Sequence, residues 1–286
     1  MTRIDQFESF FRAAARTVFT PEPVEVGSVL VISDRTASEA DDFAAQARTF
    51  LKVLDQTENI RWHVVHGDEF RTVPDLLELV EGEHPGLICT YRHLHSESWR
   101  WPYTLGEYVD VLTQATTTPV VVMPHPEQAE LPDVAHRRTQ SVMAMTNRLT
   151  GDNRLVNYAA RYTQDGGTLY LSHVEDDAVF ELYMEAISKI ASIDTDVARS
   201  EIEARLMKDP KDYIESCQVG LSSSAPSLEV ESLVTSGHHM QEYRRLIEEH
   251  DVDLLVMNTK DEDQLAMHGL AYPLAIELRT IPLLML

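Results

Sequence analysis

Residues 86–123 read GLICTYRHLHSESWRWPYTLGEYVDVLTQATTTPVVVM, and residues 251–286 read DVDLLVMNTKDEDQLAMHGLAYPLAIELRTIPLLML. The two stretches share one grammar. Each has a short apolar run, a polar loop that ends in a glycine (Gly106, Gly269), a segment with helical spacing, and a proline that opens a last apolar run. In both, that glycine lies 13 residues before that proline, Pro119 or Pro282. Short apolar runs bounded by helices fit strands buried on both faces of a parallel sheet.

The same alternation extends outward from each stretch. In the first pass, 28–33 (SVLVIS) predicts a strand, and 36–55 a helix with Ala40, Phe43, Ala44, Ala47, Phe50, Leu51 and Leu54 on one face. A strand over 62–66 follows, then Gly67 and a helix over 75–81. The second pass begins with a strand over 141–146 (SVMAMT), a helix over 153–163 stopped by Gly166 and Gly167, and a strand over 168–174 (TLYLSHV). Residues 178–220 have helical character, with a restart predicted at Asp209-Pro210, a capping residue followed by a first-turn proline. A strand over 228–235, Gly237 and a helix over 241–250 complete the pass.

The copies are unequal. Their first strands are offset by 113 residues and their late glycines by 163, so the second copy holds 50 more residues between its first helix and its third strand. This predicts four parallel strands in the first copy and five in the second. The fold class is α/β: two tandem, doubly wound, Rossmann-like parallel-sheet domains, the first shortened, in a pseudo-twofold arrangement. The expected division is a helical N-terminal extension over 1–25, a first domain over 26–123, a linker over 124–140 rich in Pro, Glu and Asp, and a second domain over 141–286. Apolar spacing over 4–18 predicts an amphipathic helix that covers the face left by the missing elements.

Lys plus Arg number 24 and Asp plus Glu 47, a formal charge of −23. Such a surface repels nucleic acid and anionic lipid. Cys89 and Cys217 have no CxxC partners, which excludes a disulfide scaffold. No secretory signal and no transmembrane-length apolar run is visible, so a cytoplasmic protein without membrane insertion is expected.

The order of elements resembles the universal stress protein family from Val26 onward. The resemblance is carried by the strand followed by Asp34, the strand ending at Val174 with acidic residues after it, the DVDLLVM pattern, and the glycine-to-proline spacing that occurs twice. It implies a stress-related or regulatory role. In nucleotide-binding members the loop after the fourth strand reads G-x2-G-x9-G-[ST], whose backbone N–H groups cradle phosphates. Here only Gly106 and Gly269 match, with Glu107 and Leu270 where the hydroxyl residue stands. The resemblance therefore implies a non-catalytic binding protein with no cofactor expected and no ordinary ATP site. It leaves open the alternative of a sensor that binds ATP or another adenine nucleotide through divergent loops. It also implies that the last strands, 119–123 and 282–286, pair antiparallel within the chain as an internal pseudo-dimer. The chain stops directly after the second of them, which suggests that this strand is held in structure.

Ligand candidates follow. Asp34 and its counterpart Asn147 stand where the family contacts the nucleoside, and also where a helix cap is expected beside Thr36, Thr150 and Asp152. Capping is the heavier reading. Residues 91–103 gather Arg92, His93, His95, Trp99, Arg100, Trp101 and Tyr103 around a single acid, Glu97. Such a set suits stacking on a planar ligand or a protein hot spot. The competing reading, slightly favoured, has Trp99 and Trp101 filling the core space left by the missing elements. His93-x-His95 lacks a third ligand at local spacing, so no metal is expected. Lys260 could meet a phosphate, but Asp261, Glu262 and Asp263 follow it and favour a solvated loop. No GxSxG, GxxxxGK[ST] or HExxH pattern occurs, which favours binding over catalysis. The partner expected is a protein or small molecule that the sequence does not identify.

Overall fold

The computed structural model describes residues 17–56, 59–101, 103–127, 138–146, 149–259 and 271–286. The first half runs β1 (Ser28–Ile32), α1 (Ala37–Phe50), β2 (Arg61–Val65), α2 (Val73–Glu83), β3 (Leu87–Tyr91), α3 (Glu107–Ala115) and β4 (Val120–Met123). The second half runs β5 (Ser141–Met145), α4 (Asn153–Tyr162), β6 (Thr168–Asp176), α5 (Asp177–Ser188), α6 (Thr195–Ser224), β7 (Glu229–Gly237), α7 (His239–Glu249), β8 (Leu254–Met257), α8 (Ala271–Glu277) and β9 (Leu283–Met285).

The nine strands among the described residues join one sheet in the order β2-β1-β3-β4-β9-β8-β5-β6-β7. Pairing is parallel within each half and antiparallel only at the β4–β9 seam, where Val121 faces Leu284. The first half contributes four strands and the second five, as the repeat offsets predict. The extra strand is β7 at the outer edge, reached through α5 and α6. The seam is apolar throughout: β3, β4, β8 and β9 are buried along their whole lengths. Pairing β4 with β9 removes two apolar strand edges that would otherwise invite association.

From β1 the chain crosses to β2 on one side and later returns past β1 to β3 on the other. Right-handed crossovers then put α1 and α2 on opposite faces. In open α/β sheets the crevice that takes ligands lies at such a reversal, beyond the carboxyl ends of the strands, here between β1 and β3 and between β5 and β8. The halves run in opposite directions, so their crevices lie at opposite edges of the sheet.

The structure differs from the sequence reading at three places. The restart predicted at Asp209-Pro210 does not occur, and Pro210 sits buried inside continuous α6. The break falls at residues 189–194, where Asp194 caps α6 by accepting from the N–H groups of Asp196 (3.1 Å) and Val197 (3.2 Å). Residues 17–25 are not helical: Phe19 donates its N–H to Ser216 Oγ (3.0 Å), Asn157 Oδ1 accepts from Glu22 N (3.1 Å), and Phe19 is buried. The rest of the predicted amphipathic helix lies outside the described residues. Finally, β6 and β7 are two residues longer at their carboxyl ends than their apolar runs, because backbone pairing continues to Asp176 and Gly237. No helix among the described residues is long and apolar enough to cross a membrane.

Candidate functional site

The first crevice is built from the ends of β1 and β3. The Tyr91 side chain is fully buried, with the rings of Phe43 (4.9 Å between centroids) and His125 (5.3 Å) packed edge-on against it. Its hydroxyl donates to Asp34 Oδ1, lies 2.9 Å from Ser33 Oγ, and accepts from Asp34 N (3.2 Å). The other carboxylate oxygen of Asp34, Oδ2, accepts the His95 N–H at 2.6 Å. Burial, reinforced by the Asp34 hydrogen bond, raises the Tyr91 pKa well above the usual phenol range, so the phenol stays protonated and keeps donating. Asp34 thus does not cap α1. The cap is Thr36, whose N–H and hydroxyl both reach Glu39 Oε2, at 3.2 and 2.6 Å. In the second half, Asp152 does cap α4, accepting from Leu155 N at 3.0 Å.

The loop after β3 folds back on itself. His93 and His95 both have left-handed backbone, φ 59° and 54°, a conformation that non-glycine residues hold only when their surroundings enforce it. The twist at His95 aims its N–H at Asp34. The His93 N–H bonds Leu105 O (2.9 Å) and closes the loop at its base. Gly106 has φ 96°, and a Cβ there would lie 2.7 Å from His93 Cα. The glycine retained from the phosphate-loop pattern therefore permits this closure and caps α3.

Arg92 points into the protein and not out of the loop. It is buried, and its guanidinium donates to the carbonyls of Ala275, Ile276 (3.4 Å) and Leu278 (2.5 Å) at the carboxyl end of α8 in the other half. The orphan carbonyls and the negative end of the helix dipole compensate a buried cation there. Burial nonetheless lowers Arg92 to about 9. His93 is buried, and burial together with Arg92 lowers its pKa, which favours the neutral ring. Arg100 is largely exposed, 3.7 Å from Glu97. The basic residues of 91–103 therefore do not converge on one point. Trp101 and Tyr103 do not fill the core either: they are 61% and 74% exposed, on a loop anchored by the 3-10 turn Glu97–Arg100 and its Ser96 cap. The Trp99 side chain lies outside the described residues.

Strand registers relate the two crevices. Val29 pairs with Leu87 and Val142 with Leu254, so the position of Tyr91 corresponds to Asn258 and that of Ser33 to Thr146. Asn258 donates to Asp152 Oδ2 at 2.5 Å, and Tyr243 OH donates to Thr146 O at 3.2 Å. Asn147, Lys260 and Gly269, the second-half candidates, lie outside the described residues. Among the described residues there is no group of three or more His, Cys, Asp or Glu side chains arranged to hold a metal ion. Cys89 is fully buried, and burial pushes its thiol up to about 12. Cys217 is buried as well.

Sequence reasoning missed Tyr91 and His125 as members of the site. Tyr91 ends a fully buried strand and passes for a core aromatic. His125 is brought in by β4, with nothing local to announce it. The signal that could have been used for Tyr91 is its place directly after four buried residues, one position before the loop.

The chain is an α/β protein with two parallel half-sheets, each with a reversal of strand order between two neighbouring strands. It is similar in structure to a functionally unknown protein of Pseudomonas aeruginosa PAO1 (TM-score 0.48, 14% identity, 91% of this chain and 92% of that one). It is likewise similar to a putative universal stress protein of Pseudomonas aeruginosa UCBPP-PA14 (0.47, 14%, 91% and 93%) and to a universal stress protein of Archaeoglobus fulgidus DSM 4304 (0.46, 13%, 91% and 85%). No protein-family model and no curated protein matches the sequence.

Proposed function

We propose that the chain is a non-catalytic, stress-related or regulatory binding protein of the universal stress protein type, whose first crevice does not take ATP in the family's manner. One observation carries this reading: both oxygens of Asp34 are engaged by the chain's own donors, Tyr91 OH and His95 N. A nucleoside would have to displace a buried phenol from a carboxylate, at a desolvation cost of about 1–3 kcal/mol for each group left unpaired. Glu107 in the first turn of α3 also takes the favourable dipole position that a phosphate would use. In this reading the contact surface is the exposed edge of the 91–106 loop, where Trp101 and Tyr103 offer rigid aromatic area to a partner protein.

The alternative, an adenine-nucleotide sensor, draws support from the second crevice. There the smaller Asn258 stands in the place of Tyr91, and the amide Asn147 is the sequence counterpart of the carboxylate Asp34. Mass spectrometry of small molecules released from gently purified protein, followed by calorimetry with Mg-ATP, separates the two. Empty protein and no binding heat support the first reading. Co-purified nucleotide, with low-micromolar affinity lost in Asn258→Tyr and kept in Gly106→Val, supports the second.

A further inference from the structure

Residues 17–25 form neither helix nor strand, and Phe19 is the only buried side chain among them. They make a strap that crosses α4 and α6 of the second half before the chain enters β1. Among the described residues the strap has no backbone–backbone hydrogen bond; side chains of the two helices meet its backbone instead. The Phe19 N–H donates to Ser216 Oγ (3.0 Å), the Thr20 N–H to Asn153 Oδ1 (3.3 Å) and the Glu22 N–H to Asn157 Oδ1 (3.1 Å). Pro21 has no N–H, so every backbone donor from 19 to 22 is met. The buried Asn157 amide also donates to Thr20 O (3.1 Å), and so grips the backbone on both sides of Pro21. Tyr213, fully buried, donates its hydroxyl to Asn153 Oδ1 (2.8 Å) and holds that acceptor in place. Gly220 in α6 leaves room for the anchor: a Cβ there would lie 2.8 Å from the Phe19 ring and 3.2 Å from Pro21 Cγ.

We propose that the α4–α6 groove is a binding site for an extended peptide with an aromatic residue two positions before a proline. Residues 17–24 are its built-in occupant, displaced when a partner protein presents such a segment. The manner of contact is the first argument. Groups that meet the backbone give affinity for any extended segment, and a pocket for one side chain selects among them. Pro21 and Pro23 pre-set the extended form, so little order has to be imposed when the segment docks.

Local stability is the second argument. Among the described residues, these four hydrogen bonds and one buried ring hold the strap, and no sheet bond breaks when it lifts. A segment held in this way opens far more often than the sheet beneath it.

Space is the third. A cleft of about 530 Å³ adjoins the strap beside Pro23 and Val24, walled by Arg161, Leu221, Pro226 and Leu228. This lies within the ~300–1,000 Å³ range of ligand pockets. A longer or bulkier peptide therefore gains contacts that the strap does not make, which offsets the advantage of an occupant tethered to the same chain.

The test titrates a fluorescent peptide of residues 17–25, TVFTPEPVE, into the full chain. Phe19→Ala removes the anchor of the tethered strap. The peptide should bind this variant at ~10–100 µM, and the wild type at least ~10-fold more weakly, because the wild-type strap competes at millimolar effective concentration. Adding Gly220→Ala to Phe19→Ala puts a methyl group where the ring stood. This double variant should fold, since alanine favours the helix, and should bind the peptide at least ~10-fold more weakly than Phe19→Ala alone. Hydrogen exchange of the wild type gives a readout that needs no variant. The amides of Phe19, Thr20 and Glu22 should exchange at rates that low urea leaves unchanged, while those of β3 follow global unfolding. The proposal is overturned if Phe19→Ala takes up no peptide at about 1 mM, the weak end of specific binding. Equal binding to the double variant, or strap amides that exchange only with global unfolding, also overturns it. So does a wild-type dimer of twice 32.4 kDa that Phe19→Ala dissolves, since this would give the groove to the strap of a second copy.

Discussion

The Tyr91 hydroxyl and the Asp34 carboxylate, fifty-seven positions apart in the chain, are hydrogen-bonded across the carboxyl ends of β1 and β3. The bond places a neutral, buried phenol in the mouth of the first crevice. It also makes Asp34 an internal acceptor, with the His95 N–H as its second donor.

Replacing Tyr91 with Phe keeps the packing against Phe43 and His125 but removes the donor. Asp34 Oδ1 then loses its phenol partner, and Ser33 loses a buried one. The expected cost is about 1–3 kcal/mol of unfolding free energy. Urea denaturation at pH 7 measures it. A change within error would mean that Asp34 turns to solvent without penalty.

Gly106→Ala tests the loop closure. The new Cβ would stand 2.7 Å from His93 Cα, at a φ of 96° that alanine resists. The expected loss is about 1–3 kcal/mol from backbone strain, before any added cost of the clash. The melting temperature should fall clearly, with or without Mg-ATP present. Destabilisation seen only with nucleotide would instead assign the glycine to a ligand.

The strand count and the unequal halves were legible because each rests on chain-local signals, whereas the antiparallel seam was expected from the family resemblance. Apolar runs, glycine-to-proline spacing and the 50-residue offset can each be read directly along the chain. The site was less legible. Arg92 reads as a cation beside histidines, yet its partners are carbonyls near position 276, a contact that no local pattern encodes. Trp101 reads as core because large aromatics usually are, but the loop closed by His93 and Leu105 turns it outward. The break in 178–224 was misplaced because Asp209-Pro210 imitates a cap, while burial of Pro210 keeps α6 continuous. Asp194, the true cap, carries the same chemistry without the proline.

His125 gives a pH dependence. It is buried, and burial, with Arg35 second, lowers its pKa to about 4; its Nδ1 accepts the Glu127 N–H at 3.2 Å, which requires an unprotonated nitrogen. The unfolded chain binds this proton near 6.5 and the folded chain does not until about 4. Stability from this group is therefore complete above the unfolded value and declines as pH falls from about 6.5 toward 4. The contribution lost is at most about 3 kcal/mol, at ~1.4 kcal/mol per pH unit of separation. His125→Gln retains an acceptor and does not titrate. Its urea midpoint should change less than the wild type's between pH 7 and pH 5. Parallel pH profiles for the two proteins would show that His125 is not the titrating group.

The β4–β9 seam is the place where the two halves depend on each other. β9 supplies three residues to the sheet yet pairs on both sides, antiparallel to β4 through Val121–Leu284 and parallel to β8 through Val256–Leu284. The Leu286 carbonyl accepts from Thr259 N (3.0 Å) and Thr259 Oγ1 (2.7 Å), so the residue beyond the strand is tied to the end of β8 as well. Deleting residues 283–286 would expose β4 and β8 as adjacent apolar edges with unpaired backbone groups, the arrangement that promotes edge-to-edge aggregation. It would also remove four buried side chains, each stabilising by about 1.5–3 kcal/mol. Their sum is comparable to the whole stability of an ordinary domain, about 5–15 kcal/mol. The truncated chain should aggregate or lose cooperative unfolding, read by light scattering and by the width of the thermal transition. A soluble truncated protein with the wild-type melting curve would mean that each half closes its own edge and that the seam is not what joins them.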